Sequence, residues 1–174
     1  MNYTTQMGWY VVYVNSRQER TVQKFLEGMS LEAYAPLVKR IRKWSDREKT
    51  VEVPLFPSYV FVKIYSSMDF HKALSVKGVV KYIRFGTVYA RIREEEMDRI
   101  KLLLKLDNVT DISLDNVYLK KGESYRIENG PFKGFDCEVL DANSKRKLVV
   151  RIDSLQQSIV ATIPKHHLDH TLNP

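Results

Sequence analysis

Two short segments that are apolar at nearly every position constrain the fold of this chain most strongly. They are WYVVYV at residues 9–14 and YVFVKI at residues 59–64. A strand with one solvated face alternates apolar and polar residues, whereas a strand covered on both faces reads as a continuous apolar run. The two segments are therefore predicted to be the central strands of one sheet.

Helical and extended patterns alternate around these two strands. Apolar residues recur at helical spacing between residues 22 and 29, and Ser16 with Glu19 has the spacing of a capping box. The remaining predicted elements are a strand at 31–38, a helix at 67–76, a strand at 79–85 and a helix at 93–106. The resulting order, β-α-β-β-α-β-α, is that of the ferredoxin-like βαββαβ fold, whose antiparallel sheet has its first and third strands at the centre.

The residue pattern of the sequence changes after this domain. Residues 107–116 are polar without a clear period and are predicted to be a linker. Short strands separated by turn residues follow, which predicts a small all-β barrel over residues 117–174. The predicted fold class is thus α+β, with a ferredoxin-like domain at 1–106 and a barrel after the linker.

The excess positive charge lies in the first two-thirds of the chain. Residues 1–108 contain 19 Lys and Arg against 12 Asp and Glu, whereas residues 109–174 contain nine of each. The whole net charge of +7 therefore belongs to the N-terminal part. This asymmetry predicts a polyanionic partner beside the N-terminal domain, although a net charge of this size also serves solubility alone.

The densest basic segment is KRIRKWSDREKT at residues 39–50, with six cations against two acids. It is predicted to be an exposed hairpin between the second and third strands. A solvated loop and a nucleic-acid contact both fit such a run, and Trp44 favours the contact because an exposed indole can stack on an unpaired base. The candidate nucleic-acid residues of the hairpin are Lys39, Arg40, Arg42, Lys43, Trp44, Arg47 and Lys49. Further candidates on the first predicted helix are Arg17, Arg20 and Lys24.

Signals for catalysis and for metal or cofactor binding are weak. The segment NGPFKG has two glycines but lacks the Lys-Ser/Thr pair of a phosphate-binding loop. Cys137 is predicted to be a small buried residue. The histidines of HHLDH at 166–170 are expected in a solvated tail, because structural zinc requires four ligands. We therefore expect a protein that is not an enzyme and has no cofactor or metal.

The cysteine content and the N-terminal sequence bear on the cellular compartment. One cysteine cannot form an internal disulfide, which favours a reducing, cytoplasmic setting. No apolar run approaches the roughly 20 residues of a membrane span. The start, MNYTTQMGWYVVYV, lacks the basic region and cleavage site of a signal peptide. The expected localisation is the cytoplasm.

The stretch PLFPSYVFV at residues 54–62 has an unusual composition, because two prolines flank Phe56 at the entrance to a buried strand. Core burial, a platform for stacking bases and an apolar dock for another protein are three interpretations of it. An RNA-recognition motif uses such a strand for stacking, and its aromatic positions fall on Tyr59 and Phe61, with Tyr13 on the first strand. This βαββαβ RNA-binding module is one alternative for the function.

Neither of the first two interpretations explains the whole stretch. The RNA-recognition motif has a basic residue where this chain has Pro57 and a small residue where it has Val60. Core burial explains Val60 and Val62, but a Phe flanked by prolines outside the strand is seldom needed to fill a core.

Several segments carry a family resemblance. WYVVYV, PLFPSYVFVKI and GVVKYIRFG resemble the signature strands of the N-terminal (NGN) domain of the NusG family of transcription elongation factors. KGESYRIENGPFKGFDCEV resembles a KOW motif that opens a five-stranded SH3-like barrel. The residues at the centre of this motif are Gly130, Pro131, Phe132, Lys133 and Gly134. The resemblance covers almost the full length and identifies residues 1–106 as an NGN domain and 117–174 as a KOW barrel.

The resemblance implies a docking function for the aromatic residues. In this family an apolar concavity of the NGN domain grips the clamp helices of the largest subunit of RNA polymerase. By motif position, the candidates to line it are Tyr13, Phe56, Pro57, Tyr59, Phe61 and Phe85. Docking there keeps the polymerase clamp closed, which suppresses pausing and termination. Upstream DNA, non-template DNA or nascent RNA is the implied nucleic-acid partner of the basic hairpin.

The barrel distinguishes between branches of the family. Housekeeping NusG carries a Phe-Gly-Arg element for Rho and ribosomal protein S10, and here Asp153, Ser154 and Leu155 replace it. We therefore expect no Rho binding, and we predict a specialised antiterminator of the RfaH or UpxY type, which serves operons such as those for capsular polysaccharides. S10 stays open as a partner because RfaH-type barrels recruit it with a divergent loop. A housekeeping NusG is the alternative within the family, and a monomer is expected.

Overall fold

The computed structural model describes residues 6–106, 109–115, 124–127, 132–138 and 145–164. The chain divides into two compact units, Met1–Asp98 and Arg99–Pro174. The division falls inside a helix, whereas the sequence predicts a domain end at residue 106. No helix in the described ranges is long and apolar enough to cross a lipid bilayer.

The N-terminal unit alternates strands and helices in the predicted order and contains the predicted basic hairpin, with further short strands between residues 84 and 92 that were not predicted. Its elements are β1 (Gly8–Val14), α1 (Glu19–Gly28), β2 (Ala33–Tyr34), β3 (Leu37–Lys43), β4 (Glu48–Pro54), β5 (Tyr59–Ile64), α2 (Ser67–Leu74), β6 (Val79–Tyr82), β7 (Arg84–Phe85), β8 (Val88–Tyr89), β9 (Arg91–Ile92) and α3 (Glu94–Lys105), the helix that continues into the second unit.

The main sheet of this unit has the order β2-β5-β1-β6, and β9 also pairs with β1. The strands β1 and β5 are antiparallel neighbours at its centre, with residue pairs that run from Gly8–Ile64 to Tyr13–Tyr59. This is the ferredoxin-like strand order. The prediction that the segments 9–14 and 59–64 form the central pair is confirmed.

One face of the central strands belongs to the core that includes α1 and α2. Tyr10, Val12 and Val14 of β1 lie on this face, because successive side chains of a strand point to opposite sides. The same cluster includes Val22, Leu26, Val60, Val62, Ile64, Phe70, Ala73 and Tyr82. Burial of a large apolar side chain stabilises a fold by about 1.5–3 kcal/mol, so this layer is a main source of stability.

The opposite face of the central strands is buried over most of its length. Trp9, Val11 and Phe61 are at most 1% exposed. Phe56 also lies in the interior, and its ring meets that of Phe61 edge-on at a centroid distance of 5.3 Å. The continuous apolar runs of the sequence therefore reflect burial on both sides. Tyr13, on the same face, is 38% exposed.

A tight turn connects Phe56 to β5. The Tyr59 N–H donates to the Phe56 carbonyl oxygen over 3.2 Å. Pro57 occupies the second position of this turn, where proline presets the backbone φ angle. Ser58 occupies the third position with a φ of 62°, a conformation that residues other than Gly and Asn seldom adopt.

Hydrogen bonds on both sides of Ser58 hold this uncommon conformation. The Val14 N–H donates to the Ser58 carbonyl oxygen at 2.8 Å. The Ser58 N–H donates to the carboxylate of Glu19 at 2.8 Å, and Glu19 is only 4% exposed. The predicted capping box is therefore wrong: α1 begins at Glu19 with Gln18 as its N-cap, and Glu19 fixes the turn before β5 instead of pairing with Ser16.

Two other polar side chains of α1 bond to the segments that follow β2 and form β4. The Ala35 N–H donates to the side-chain oxygen of Gln23 at 2.9 Å. The Arg20 guanidinium forms an ion pair with Glu52 at 2.7 Å. Helix α1 thereby contacts Ala35, just before β3, and Glu52, near the end of β4.

The second unit contains a five-stranded antiparallel sheet. Its strands are β10 (Thr110–Asp115), β11 (Ser124–Arg126), β12 (Asp136–Glu138), β13 (Lys145–Ile152) and β14 (Gln157–Pro164), in the order β10-β14-β13-β12-β11. Residues 110–115 lie in the predicted linker, yet they pair with β14. An edge strand is held by backbone hydrogen bonds on one side and needs no regular apolar pattern, so its polar sequence did not reveal it.

Substitution of Glu19 tests the contact that fixes the turn before β5. Glu19→Ala is expected to lower the free energy of unfolding by about 1–3 kcal/mol, because it leaves the Ser58 N–H without its acceptor in a largely buried position. Glu19→Gln retains an acceptor oxygen and is expected to be less destabilising. Guanidinium unfolding followed by circular dichroism measures both, and equal stability of the Ala variant and the wild type would contradict this role.

Candidate functional site: an aromatic groove and a basic hairpin

A groove of about 520 Å³ lies where β6, the β7–β8 hairpin and the end of α2 meet. We call it the aromatic groove. Its lining residues are Tyr59, Leu74, Val80, Lys81, Tyr82, Ile83, Arg84, Phe85 and Tyr89. Strand β6 is the edge of the main sheet, so these side chains come from the open edge and from the hairpin that follows it.

Packed aromatic rings support the groove from below. Phe70 and Tyr82 stack at a centroid distance of 3.9 Å, and Tyr89 meets Phe70 edge-on at 5.1 Å. The Tyr82 hydroxyl donates to the Phe70 carbonyl oxygen at 2.9 Å. Burial raises the pKa of Tyr82 well above its usual range, so this phenol stays neutral at physiological pH. The base of the groove is therefore an ordered, uncharged aromatic cluster.

Apolar side chains are exposed in and beside the groove. Six of them are at least 37% exposed: Tyr13, Leu74, Val80, Phe85, Val88 and Tyr89. Tyr13 lies next to the groove residue Tyr59, and their rings meet edge-on at a centroid distance of 6.2 Å. The Nζ atom of Lys81 lies 6.0 Å from the centroid of the Tyr13 ring. Contiguous exposed apolar surface rimmed by polar groups is typical of a protein-binding site.

The structure separates the predicted docking residues into two groups. Tyr59 and Phe85 line the groove and Tyr13 lies beside it, while Pro57 is exposed in the turn. Phe56 and Phe61 are 1% and 0% exposed. The prediction that these two rings line an accessible surface is wrong, because each fills the space beside the other inside the fold.

The burial of Phe61 also removes the RNA-recognition alternative. That motif requires an exposed ring at the position of Phe61 for base stacking. Core burial is thus the correct interpretation of Phe56 and Phe61. Tyr59 is not a core residue and lines the groove.

Seven of the nine groove residues escaped the sequence interpretation: Leu74, Val80, Lys81, Tyr82, Ile83, Arg84 and Tyr89. The sequence FGTVY at 85–89 was the available signal for the hairpin that contributes Phe85 and Tyr89. Its Gly86 lies between two short apolar segments and has a φ of 59°. A glycine in such a setting predicts a hairpin turn. The expected strand at 79–85 instead ends at Tyr82, and the β7–β8 hairpin follows.

The predicted basic hairpin forms from β3 and β4. Seven residue pairs join the strands, from Leu37–Pro54 to Lys43–Glu48. At the end of the hairpin, the backbone N–H of Trp44 donates to the carbonyl oxygen of Arg47 at 2.8 Å. Residues 39–50 are exposed throughout, and Trp44 is 47% exposed. The hairpin therefore presents all seven of its candidate nucleic-acid residues to solvent.

The three candidate cations near α1 have different settings. Arg17 precedes the helix, in a turn with a φ of 65°, so the prediction that it lies on the helix is wrong. Arg20 is paired with Glu52, and Lys24 is exposed on the helix.

The described part of the segment that resembles a KOW motif contains a buried aromatic pair. Phe132 and Phe135 are 2% exposed and meet edge-on at 5.8 Å, whereas Lys133 is exposed. Gly134 has a φ of 83°, which favours glycine, and a Cβ at this position would lie 2.9 Å from the Arg99 guanidinium and displace it. Gly130 and Pro131 lie outside the described residues, as do the side chain of Cys137 and the histidines at 166–170.

Asp153, Ser154 and Leu155, which the resemblance predicts in place of the Phe-Gly-Arg element, form a short 3₁₀ turn between β13 and β14. Leu155 is 5% exposed, and Asp153 pairs with Arg151 at 2.7 Å. Among the described residues, no three His, Cys, Asp or Glu side chains are grouped as metal ligands.

Comparisons with known proteins agree with this architecture. Residues 7–101, more than half of the chain, match the family described as "Transcription termination factor nusG". The chain is similar to the transcription termination/antitermination protein NusG of Helicobacter pylori, strains J99 and 26695, with 25% identity in each case over 84% of this chain and 88% of the relative. A solved structure of Thermotoga maritima NusG has the same fold, with a TM-score of 0.52 and 22% identity over 93% of this chain and 96% of that one.

The fold defines a protein with an NGN-type domain followed by an antiparallel β-sheet unit. The chain belongs to the NusG family of transcription termination and antitermination factors. That family is not a known enzyme family.

Two substitutions distinguish core rings from groove rings. Phe56→Ala is expected to lower the free energy of unfolding by about 3–5 kcal/mol, because it empties a buried ring site. Phe85→Ala removes a ring that is 44% exposed and is expected to cost about 1 kcal/mol or less. Chemical unfolding of both variants measures the difference, and similar losses would show that Phe56 is not a core residue in solution.

Proposed function

We propose that this protein is an operon-specific antitermination factor that docks on the clamp helices of RNA polymerase through the aromatic groove. The observation that carries the proposal is the groove itself: exposed Phe85 and Tyr89 and the partly buried Tyr59 line a depression in the domain that carries the family match. An amphipathic helix lays its apolar face into grooves of this kind. The coiled coil of the clamp helices offers such a face.

The construction of the groove favours tight binding. Aromatic side chains have few rotatable bonds and bury much area, which makes them frequent hot spots. Tyr59 follows a turn that Pro57 and the Glu19–Ser58 hydrogen bond hold in place. A groove residue that is ordered before binding loses less conformational entropy when the partner arrives.

The edge of the groove carries positive charge beside its aromatic base. Lys81 and Arg84 line the groove, and both are exposed. Acidic residues on a clamp helix would be attracted to this rim, which fixes orientation and accelerates association more than it increases affinity. A factor held there that also reaches the opposite side of the cleft keeps the clamp closed and disfavours paused states.

The β13–β14 turn supports the specialised branch. An exposed Phe and Arg would be needed to reproduce the Phe-Gly-Arg element, but Leu155 is buried and Asp153 has an ion-pair partner. A housekeeping role is the second candidate, because the curated relatives carry the name of the termination/antitermination protein NusG.

Other partners follow from the same proposal. The exposed basic hairpin contacts upstream DNA, non-template DNA or nascent RNA at the elongation complex, and ribosomal protein S10 is a candidate partner of the second unit. The factor acts as a monomer in the bacterial cytoplasm, with capsular or other surface-polysaccharide operons as the targets to examine first.

Polymerase binding tests the groove directly. Tyr59→Ala and Phe85→Ala are each expected to weaken binding to core polymerase roughly 30-fold, because a hot-spot aromatic contributes roughly 2 kcal/mol. Titration of labelled polymerase with each variant gives the dissociation constants.

Phe25→Ala is the matched control for this experiment. Phe25 lies on α1 outside the groove and is 46% exposed, close to the 44% of Phe85. It is expected to leave the affinity unchanged. A loss in the control as large as in the groove variants, or no loss in any variant, would rule the groove out as the docking site.

Rho binding separates the specialised from the housekeeping role. The full chain is expected to form no complex with Rho on a size-exclusion column, because the β13–β14 turn exposes neither a Phe nor an Arg in place of the recognition element. The same preparation should bind polymerase, which shows that it is active. A stable Rho complex would return the protein to the housekeeping class.

A further inference from the structure

A second depression of about 520 Å³ lies in the N-terminal unit, away from the aromatic groove. We call it the arginine pocket, and its lining residues are Met7, Gly8, Lys63, Arg91, Ile92, Arg93 and Glu94. Gly8 and Tyr13 are near opposite ends of β1, and Tyr13 lies beside the aromatic groove. The two depressions share no lining residue, so the arginine pocket is a separate site.

The pocket opens where the pairing of β1 with β9 ends. The last residue pair before Gly8 is Trp9–Ile92. The next pair of this register would join Gly8 to Arg93, but the Arg93 N–H donates to the Glu96 carboxylate at 2.9 Å instead. The chain turns into α3 at this point and diverges from β1. The pocket lies between the two segments.

Gly8 provides the space in which the side chain of Arg91 lies. Its φ is 144°, a backbone conformation that favours glycine, and a Cβ at this position would lie 2.8 Å from the Arg91 Nε atom. The Arg91 guanidinium also donates to the side-chain oxygen of Gln6. The carbonyl oxygen of Gln6 accepts from the Tyr10 hydroxyl at 2.8 Å. Packing and a hydrogen bond therefore both hold Arg91 in place.

Arg91 differs from the other two cations of the pocket in its charge partners. Lys63 forms an ion pair with Glu94 at 2.7 Å, and Arg93 forms one with Glu96 at 3.0 Å. In the described ranges no carboxylate lies within ion-pair distance of Arg91. A guanidinium has five N–H donors in a planar fork, which fits a carboxylate through two parallel hydrogen bonds. Arg91 is therefore the cation of this pocket that best suits an anionic ligand.

The acids around the pocket restrict the kind of anion. The first turn of α3 carries Glu94, Glu95 and Glu96, which equal the three cations of the pocket in number. A polyanion such as a nucleic acid gains little from a surface of this kind, because its successive phosphates meet acids as well as bases. A single carboxylate that reaches Arg91 makes the bidentate contact without that repulsion.

Apolar groups beside Arg91 indicate the rest of the ligand. Met7 is 66% exposed in the pocket wall, and methionine adapts to partners of different shape. The Nζ atom of Lys63 lies 5.6 Å from the centroid of the Trp9 ring, so the aliphatic stem of this lysine adds apolar surface. The volume of the pocket is within the range of about 300–1,000 Å³ for ligand sites. These features suit a peptide in which an acidic residue is next to an apolar one.

We propose that the arginine pocket binds an acidic peptide segment of a partner protein. One Asp or Glu carboxylate of the segment bonds bidentately to Arg91, and an adjacent apolar side chain packs against Met7. The pocket has no residue in common with the aromatic groove, so a second protein is held there while the groove is occupied. This function goes beyond the docking of polymerase and does not depend on it.

Two blocked dipeptides that differ in one charge test the class of ligand. N-acetyl-Leu-Glu-amide and N-acetyl-Leu-Gln-amide are titrated into the isotope-labelled full-length protein, and NMR follows the backbone N–H of Gly8 and the Nε–H of Arg91. The acidic dipeptide is expected to shift both signals saturably, with a dissociation constant in the millimolar range or below. The neutral dipeptide is expected to bind about 10-fold more weakly or less. No saturable shift with the acidic dipeptide, or equal binding of the two, would overturn the proposal.

Arg91→Gln and Arg40→Gln form a matched pair of variants. Each removes one exposed arginine charge, and Arg40 lies in the basic hairpin outside the pocket. Arg91→Gln is expected to weaken binding of the acidic dipeptide about 10-fold or more, because the charge-assisted contacts to the carboxylate are lost. Arg40→Gln is expected to bind like the wild type. Equal losses in the two variants would show that only net charge matters and would contradict the site.

Arg91→Lys separates the planar fork from the charge. It keeps the positive charge but cannot form two parallel hydrogen bonds, so its affinity for the acidic dipeptide is expected to fall between those of the wild type and Arg91→Gln. Wild-type affinity would exclude the bidentate contact. Circular dichroism of both variants is expected to match the wild type because Arg91 is exposed, which separates a loss of binding from unfolding.

Anions that are not peptides test the exclusion of nucleic acid. Inorganic phosphate and a single-stranded DNA of about 12 nucleotides are titrated in the same way. Each is expected to shift the Nε–H signal of Arg91 less than the acidic dipeptide at equal concentration, because the first turn of α3 is acidic. A stronger response to either anion would overturn the assignment of the pocket to a peptide.

Discussion

The antiparallel register between β1 and β5 decides what the rest of the N-terminal unit can do. It pairs Val11 with Phe61 and Tyr13 with Tyr59 on one face of the sheet. The first pair is buried, while Tyr13 is exposed and Tyr59 lines the aromatic groove. A shift of one residue would move every side chain to the other face, so this pairing creates the core and the groove together.

Helix α1 connects the two candidate surfaces through polar side chains. Glu19 fixes the turn that leads to Tyr59, and Gln23 holds the approach to the basic hairpin. Arg20 adds an exposed ion pair to the hairpin, and such pairs contribute little to stability. It places Glu52, which stands opposite Lys39 in the hairpin, beside the helix.

The basic hairpin gives the chain a second surface whose chemistry differs from that of the aromatic groove. The groove has an uncharged aromatic floor and suits a protein helix. The hairpin has Arg42 opposite Lys49 and an exposed indole, which is the chemistry behind its proposed nucleic-acid contact. Two surfaces with different ligands are what a factor requires if it holds polymerase and nucleic acid at once.

The sequence by itself determined the order of elements, the central strands, the position of the basic hairpin and the family. These follow from local periodicity and from quoted motifs, which need no knowledge of distant contacts. Only the tertiary structure decided that Phe56 is core while Phe85 is surface, and that Glu19 fixes Ser58 instead of capping its own helix. Exposure of a ring depends on neighbours from distant parts of the chain, and the face of a cation depends on strand register, so neither is encoded in the local pattern.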